Sequence, residues 1–284
     1  MLALYRLESE AAPSLPAPGR PGVTVQVGEA VAALGAGLRG AAEYVGRFTM
    51  ACAALVRRPR SMPWASVVQQ VERHGVDGIP IVVLITFLVG AVSAFQASLQ
   101  LAKFGADTLV ADLVSLSITR ELAPLMTAIV LAGRSGAAMA AELGTMRVSE
   151  EVDALRVMGL DPHRYLVLPR VLALLLVAPI LTLMADFVGI AGGLLVALTS
   201  LEVSWQGFLQ STREAVAAFD VLGGLLKAVL FGGLVAMIAC ERGLATRGGA
   251  EGVGRATTSA VVVSLFSLVT ADAVFGVLFS LWGL

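Results

Sequence analysis

Residues 118–170 read ITRELAPLMTAIVLAGRSGAAMAAELGTMRVSEEVDALRVMGLDPHRYLVLPR. The first half is long and apolar enough for a membrane helix, but Arg120, Glu121, Arg134 and Glu142 interrupt it. A charged side chain at the centre of a bilayer costs at least about 2.5 kcal/mol on insertion scales. We therefore expect these four groups to face protein, water or one another.

After Gly144 the same stretch becomes a mixture of charged and apolar residues. Val152, Leu155, Val157 and Met158 alternate there with acidic and basic side chains. This pattern favours a short amphipathic helix at the membrane surface, with one polar and one apolar face. The sequence MGLDP at 158–162 predicts its end, because glycine suits a helix C-terminus and proline disfavours helical geometry in the residue before it. The charged residues are Glu150, Glu151, Asp153, Arg156, Asp161, Arg164 and Arg170.

The composition is that of a membrane protein. Of the 284 residues, 57% are hydrophobic and 14% are charged, and the mean hydropathy is +0.84. A soluble domain normally carries about 25% charged residues. The net charge of −1 gives no basic field that would indicate a nucleic-acid partner. Cys52 and Cys240 have neither pairing nor metal-ligand spacing, so we predict two free thiols and no metal site.

Five apolar stretches meet the length of about 20 residues that a membrane-spanning helix needs. We predict spans at 79–101, 113–145, 171–200, 221–240 and 257–282, which place an all-α membrane domain at 78–284. Because the first of them begins near Ile79, we expect no cleavable signal peptide. Residues 1–22 are rich in proline and glycine and predict a disordered leader. Residues 23–77 predict interfacial helices; an ordinary cytoplasmic helix packed on the rest is the alternative.

The distribution of basic residues predicts the orientation. Fifteen arginines fall in the N-terminal region and in the loops after the second and fourth spans, whereas the other loops hold Lys103 and Arg213. Basic loops stay in the cytoplasm. We therefore expect a cytoplasmic N-terminus and a C-terminus outside. Residues 201–220 contain Trp205, Phe208 and Leu209 among polar residues and predict a short helix at the outer interface.

The run from Arg120 to Ala173, RELAPLMTAIVLAGRSGAAMAAELGTMRVSEEVDALRVMGLDPHRYLVLPRVLA, resembles the signature of the MlaE/YrbE permeases. These are the membrane subunits of ABC systems that move phospholipid between bacterial membranes together with MCE-domain proteins. The resemblance implies a homodimer in the inner membrane with separate P-loop ATPase subunits, an MCE-domain partner and, in some systems, a STAS-type accessory subunit. The chain has no G-x-x-x-x-G-K-[ST] motif, so ATP is expected on the partner and no cofactor on this chain.

The resemblance also assigns the amphipathic segment as the coupling helix that docks on the ATPase; the alternative is an inert surface loop. The residues concerned are Glu150, Glu151, Asp153, Arg156, Met158, Asp161 and Pro162.

Bulky side chains at the outer ends of the first and fifth spans could line an apolar cavity for acyl chains, or could simply face lipid. They are Phe95, Leu99, Leu101, Val274 and Leu278. The resemblance places Arg120, Glu121 and Leu122 close to a lipid-holding cavity.

Other charged residues lie inside predicted spans, namely Arg134, Glu142, Asp186, Lys227 and Asp272. Opposite charges in lipid are expected to pair. We expect Arg134 to pair with Asp186 or Asp272, either as part of a polar interior that moves during transport or as a structural ion pair. The fifth span opens with GRATT at 254–258, where Thr257 and Thr258 are candidate helix caps.

Two other classes of function are alternatives to a permease subunit. An intramembrane enzyme needs a nucleophile with a base, but His74 and His163 are the only histidines and both fall at the predicted cytoplasmic surface. Ser135 has no histidine at its expected depth, so we expect no catalytic site. A self-contained channel or secondary transporter stays open, since the intramembrane charges permit one.

Overall fold

The computed structural model describes residues 23–57, 59, 62–104, 109–200 and 204–281, and these ranges are helical without any β-strand. The chain divides into two units, Met1–Arg47 and Phe48–Leu284. The described part of the first unit, from Val23 onward, is helical. The predicted leader at 1–22 lies outside the described residues.

The helices are α1 (Val23–Arg57), α2 (Trp64–Gly75), α3 (Ile79–Leu101), α4 (Leu109–Val148), α5 (Glu151–Val157), α6 (Leu168–Ser200), α7 (Trp205–Ala215), α8 (Ala218–Leu244) and α9 (Gly249–Leu281). Among the described residues, five helical runs are long and apolar enough to cross a membrane. They are Trp64–Phe104, Leu109–Val148, His163–Thr199, Ala218–Leu244 and Gly249–Phe279. This confirms the all-α integral membrane class.

The fifth span begins earlier than the sequence pattern predicts. Helix α9 starts at Gly249, directly after Gly248, and both glycines have positive φ. The hydroxyls of Thr257 and Thr258 donate to carbonyls one turn back, at distances of 2.8 and 3.1 Å. They are therefore interior helix residues, and the predicted capping role is wrong.

Glycines allow α3 and α6 to pack with their backbones in contact. A Cβ atom on Gly90 would lie 2.0 Å from the carbonyl oxygen of Gly189, and one on Gly192 would lie 2.2 Å from that of Phe87. Small residues at such crossings are the usual way for membrane helices to approach closely. The main apolar core lies beside this contact and includes Val82 of α3 and Leu181 of α6.

Helices α4 and α6 form the centre of the membrane bundle. In each of them half of the residues in the most apolar stretch are buried, whereas in α9 only 11% of such residues are. Helix α8 packs on both of them. A Cβ on its Gly232 would meet the carbonyl of Leu174 at 2.8 Å, and one on Gly243 would meet Leu143 at 2.7 Å. Helix α9 therefore leaves most of its surface uncovered.

Helix α4 is not uniformly α-helical. It contains two π-helical segments, Ile118–Leu122 and Ala132–Gly136, and a third, His163–Val167, precedes α6. Each π turn adds a residue to the turn and rotates the helix face that follows, and such insertions concentrate at functional sites. The two segments in α4 carry Arg120, Glu121 and Arg134.

Candidate functional site

A buried lysine joins three helices at the end of the bundle near α7. Lys227 Nζ on α8 lies 2.5 Å from Glu121 Oε2 on α4 and 3.3 Å from Asp272 Oδ1 on α9. The ammonium group also lies 5.5 Å from the centre of the Phe279 ring. A fully buried ammonium needs such partners, because leaving it unpaired in a low-dielectric interior is strongly unfavourable. One cation thus pairs with two carboxylates. We call Lys227, Glu121 and Asp272 the Lys227 triad.

A glycine explains why α4 and α8 come close enough for this contact. A Cβ on Gly224, one turn before Lys227, would lie 2.3 Å from the carbonyl oxygen of Thr119. The π segment Ile118–Leu122 then turns Glu121 toward α8. The sequence left Lys227 without an assigned partner and offered Asp272 to Arg134, whereas the structure brings Lys227 and Asp272 together with Glu121.

A small, partly open pocket lies next to the triad. Its charged residues are Arg120 and Asp220, whose side chains form an ion pair of 3.6 Å. Phe219 and Phe279 supply aromatic walls, and the remaining lining is Gly223 and Gly224. The pocket thus combines one loosely paired guanidinium with apolar walls.

The other predicted cavity residues do not line this pocket. Phe95, Leu99, Val274 and Leu278 are exposed on α3 and α9. Leu101 and Leu122 pack in part against the main apolar core. Contact of these six residues with lipid stays a prediction.

At the opposite end of the bundle, α5 connects α4 to α6. Glu150 begins it with a φ of 62°, the only positive φ among the described non-glycine residues. Gly159 ends it with a φ of 75°, donating its N–H to Arg156 while the N–H of Leu160 reaches Leu155. This is the hydrogen-bond pattern of a Schellman motif. It confirms the helix end predicted at 158–162.

Charged contacts fix α5 against α4. Asp153 accepts hydrogen bonds from Arg147 at 2.5 Å and Arg156 at 2.9 Å. The hydrogen bond from Arg147 holds the pKa of the Asp153 carboxyl below its usual value. Val152 is fully buried beneath the helix. Helix α5 is therefore anchored by one apolar and one charged contact.

The outward surface of α5 carries most of the predicted coupling residues. Glu150, Glu151, Arg156, Met158 and Asp161 are exposed. Val157, the most exposed of the large apolar residues described, is 89% exposed beside them. Pro162 is buried, so its effect on a docked protein could only be indirect.

A second ion cluster lies on α4 close to α5. Glu142 accepts from Arg73 of α2 at 2.6 Å and from Arg170 of α6 at 2.8 Å. Arg170 is buried and also donates to the carbonyl of Leu166. The sequence identified Glu142 as an intramembrane charge, but arginines 69 and 28 residues away in the chain could not be recognised as its partners.

The expected partner of Arg134 was wrong. Its guanidinium lies 3.1 Å from Asp77, in the turn between α2 and α3, rather than beside Asp186 or Asp272. The second π segment sets the direction of Arg134, and Lys227 already holds Asp272. Asp186 is buried on α6, and its Oδ1 has no hydrogen-bond partner among the described residues.

Comparison with known proteins identifies the family. A family model described as permease MlaE matches residues 67–278. The chain belongs to the MlaE permease family. A probable ABC transporter permease of Rickettsia prowazekii is 39% identical over 84% of this chain and 93% of its own length. Another, from Synechocystis, is 43% identical over 72% of this chain and 77% of its own.

A plant relative is also similar. The Arabidopsis thaliana protein named trigalactosyldiacylglycerol 1, chloroplastic, is 40% identical over 76% of this chain and 62% of its own length. Together these matches make the chain a multi-pass membrane permease subunit of an ABC transporter, a class that works with ATPase partners.

Proposed function

We propose that this MlaE-family permease moves phospholipid, or a related hydrophobic lipid, between the inner membrane and an MCE-domain partner. A separate ATPase that docks on α5 drives the movement. The observation that carries the proposal is the surface of α5, where acidic residues and Val157 are exposed on a helix anchored to α4. Because α5 is anchored to α4, a movement of the docked ATPase would displace α4 as well, whereas a loosely attached loop would move alone.

The pocket beside the Lys227 triad supports a lipid cargo. A lipid combines a charged or polar headgroup with apolar chains, and Arg120 with the two phenylalanine walls matches both parts. The name of the Arabidopsis relative contains a galactolipid, which points in the same direction. The pocket is too small for a whole lipid, so we assign acyl chains to the apolar surfaces of α3 and α9.

The open surface of α9 supports a homodimer. Its exposed apolar residues include Val262, Phe266 and Val269, and a second copy would enclose the cargo between two such surfaces. The N-terminus then lies in the cytoplasm and the C-terminus in the periplasm, as the arginine distribution predicts. ATP is bound by the partner and this chain carries no cofactor; a STAS-type subunit would join as an accessory.

The test is purification from the native membrane in mild detergent, with co-purifying proteins and lipids identified by mass spectrometry. The variant Glu151→Lys, Asp153→Lys reverses two charges on α5, and Glu214→Lys reverses one exposed charge on α7 as the control. We expect the wild type and the control to bring down a P-loop ATPase, an MCE-domain protein and phospholipid. The α5 variant should lose the ATPase while keeping the lipid.

The rival function, a self-contained channel or secondary transporter, rests on Asp186. A buried carboxyl with an unpartnered oxygen is the kind of group that ion-coupled carriers use. A wild-type protein that purifies without an ATPase under conditions that preserve other ABC complexes would favour this rival.

A further inference from the structure

The ion cluster around Glu142 joins three helices through one carboxylate. Arg73 of α2 donates a hydrogen bond to Oε1 of Glu142, and Arg170 of α6 donates one to Oε2. We call these three residues the Glu142 clamp. Because each arginine occupies a different oxygen, the carboxylate of α4 holds both neighbouring helices at the same time.

Helix α5 is attached to the part of α4 that carries the clamp. Asp153 of α5 bonds Arg147, which lies five residues after Glu142 on α4. At about 1.5 Å per residue these positions are less than 8 Å apart along the helix axis. Val152, next to Asp153 in the chain, is fully buried. A displacement of α5 therefore acts on α4 next to Glu142.

On the other side, the clamp reaches the first membrane span. Helix α2 continues through the turn Val76–Gly78 into α3, and the residues at this junction keep right-handed helical geometry. The junction packs on α6, where a Cβ on Gly78 would lie 3.3 Å from Leu181. The ion pair between Arg134 and Asp77 crosses from α4 to the same junction. Arg73 thus connects α4 to a helical run that ends in α3.

We propose that the Glu142 clamp couples the ATPase-docking helix α5 to α2 and α3, so that the first span moves together with α4 and α6 during transport. Glu142 and Arg73 are positioning residues in this role, since they act through the helices that they connect. The inference rests on the proposed function. A purely stabilising role suits Arg73 poorly, because ion pairs of half-exposed side chains contribute little to stability.

The decisive variant is Arg73→Gln, which cuts the link to α2 and leaves the pair between Glu142 and Arg170. Its matched control is Arg47→Gln. The two arginine side chains are 53% and 52% exposed, and each pairs with a glutamate, at 2.6 and 2.5 Å. Arg47 and its partner Glu43 lie on one helix, so this control removes an equivalent ion pair that connects no two helices.

The measurement uses the complex with its co-purified ATPase in liposomes, with ATP hydrolysis and transfer of fluorescent phospholipid recorded on the same sample. We expect Arg73→Gln to hydrolyse ATP like the wild type and to transfer about fivefold less lipid per ATP. Arg47→Gln should match the wild type in both. Equal lipid transfer per ATP in the two variants would overturn the coupling role and leave the proposed function intact. A wild-type complex that hydrolyses ATP without transferring lipid would overturn both.

A second variant, Glu142→Gln, removes both ion pairs and should uncouple more strongly than Arg73→Gln. The two cysteines check its fold, because Cys240 is fully buried and Cys52 is half-buried. In a folded variant, N-ethylmaleimide should label Cys52 and spare Cys240. A folded Glu142→Gln variant with wild-type coupling would count against the clamp as directly as the Arg73 result.

Discussion

Replacing Lys227 with methionine removes the cation of the Lys227 triad and keeps a side chain of similar length. The side chains of Lys227, Asp272 and Glu121 are 1%, 20% and 44% exposed. The substitution therefore leaves one partly exposed and one half-exposed carboxylate beside each other without a cation. Both are acceptors that no longer have an ammonium donor.

The size of the effect follows from this burial. Removing one partner of a buried ion pair typically costs about 3–5 kcal/mol. The lower end applies here, because water can reach Glu121 and hydrate it. A loss of about 3 kcal/mol, at about 2–4 °C per kcal/mol for a chain of this size, lowers the thermal midpoint by about 6–12 °C.

The assay is the loss of monodisperse protein after heating in detergent, followed by size-exclusion chromatography. Lys103→Met is the control, since Lys103 is the only other lysine of the chain and is exposed. Equal midpoints for the two variants would refute the reasoning. Adding Asp272→Asn to Lys227→Met should restore part of the loss, because it removes one of the two unpaired carboxylates; a further loss would show that unpaired charge is not the cause.

Three further predictions use the same preparations. Gly224→Ala should cost about 1–3 kcal/mol of stability and so lower the thermal midpoint, because its Cβ would lie 2.3 Å from a backbone oxygen. Gly223→Ala should leave the midpoint unchanged, since the nearest atom to its Cβ lies at 3.9 Å. Gly159→Ala, at a φ of 75°, should cost about 1 kcal/mol, whereas Glu150→Gly should keep or raise the midpoint. The hydrogen bond from Arg147 lowers the pKa of Asp153. The ion pair between the two side chains is therefore complete at any pH above the usual carboxyl pKa, and it is lost only as the pH falls through the lowered pKa. ATPase co-purification should then stay constant between about pH 5 and pH 8, and a fall within that range would contradict this assignment.

The parts of the structure that sequence predicts well depend on composition and on single residues. Five long apolar runs give five helices, and the predicted first span at 79–101 coincides with α3. Gly159 marks the end of α5 because a left-handed residue is needed there and glycine adopts that geometry without strain. Such signals are local, so they survive without knowledge of the neighbouring helices.

The ion pairs could not be predicted, because they depend on where distant helices meet. Arg134 shows the reason. A regular α-helix advances by about 100° per residue, so the extra residue in the π segment Ile118–Leu122 turns everything after it by that angle. The sequence offers Arg134 only the acidic residues inside the spans, whereas its partner Asp77 lies just before the first span, on the turn between α2 and α3.

The two ion clusters lie at opposite ends of α4, and their separation fits a membrane. Glu121 and Glu142 are 21 residues apart in one continuous helix. At about 1.5 Å per residue the distance is about 30 Å, which is the thickness of the hydrocarbon layer. Helix α4 carries α5 and the Glu142 clamp towards its C-terminal end and the Lys227 triad with its pocket towards its N-terminal end. Any tilt of α4 about its middle must therefore move the two clusters in opposite directions, which would give the ATPase that we propose to dock on α5 a physical route to the pocket.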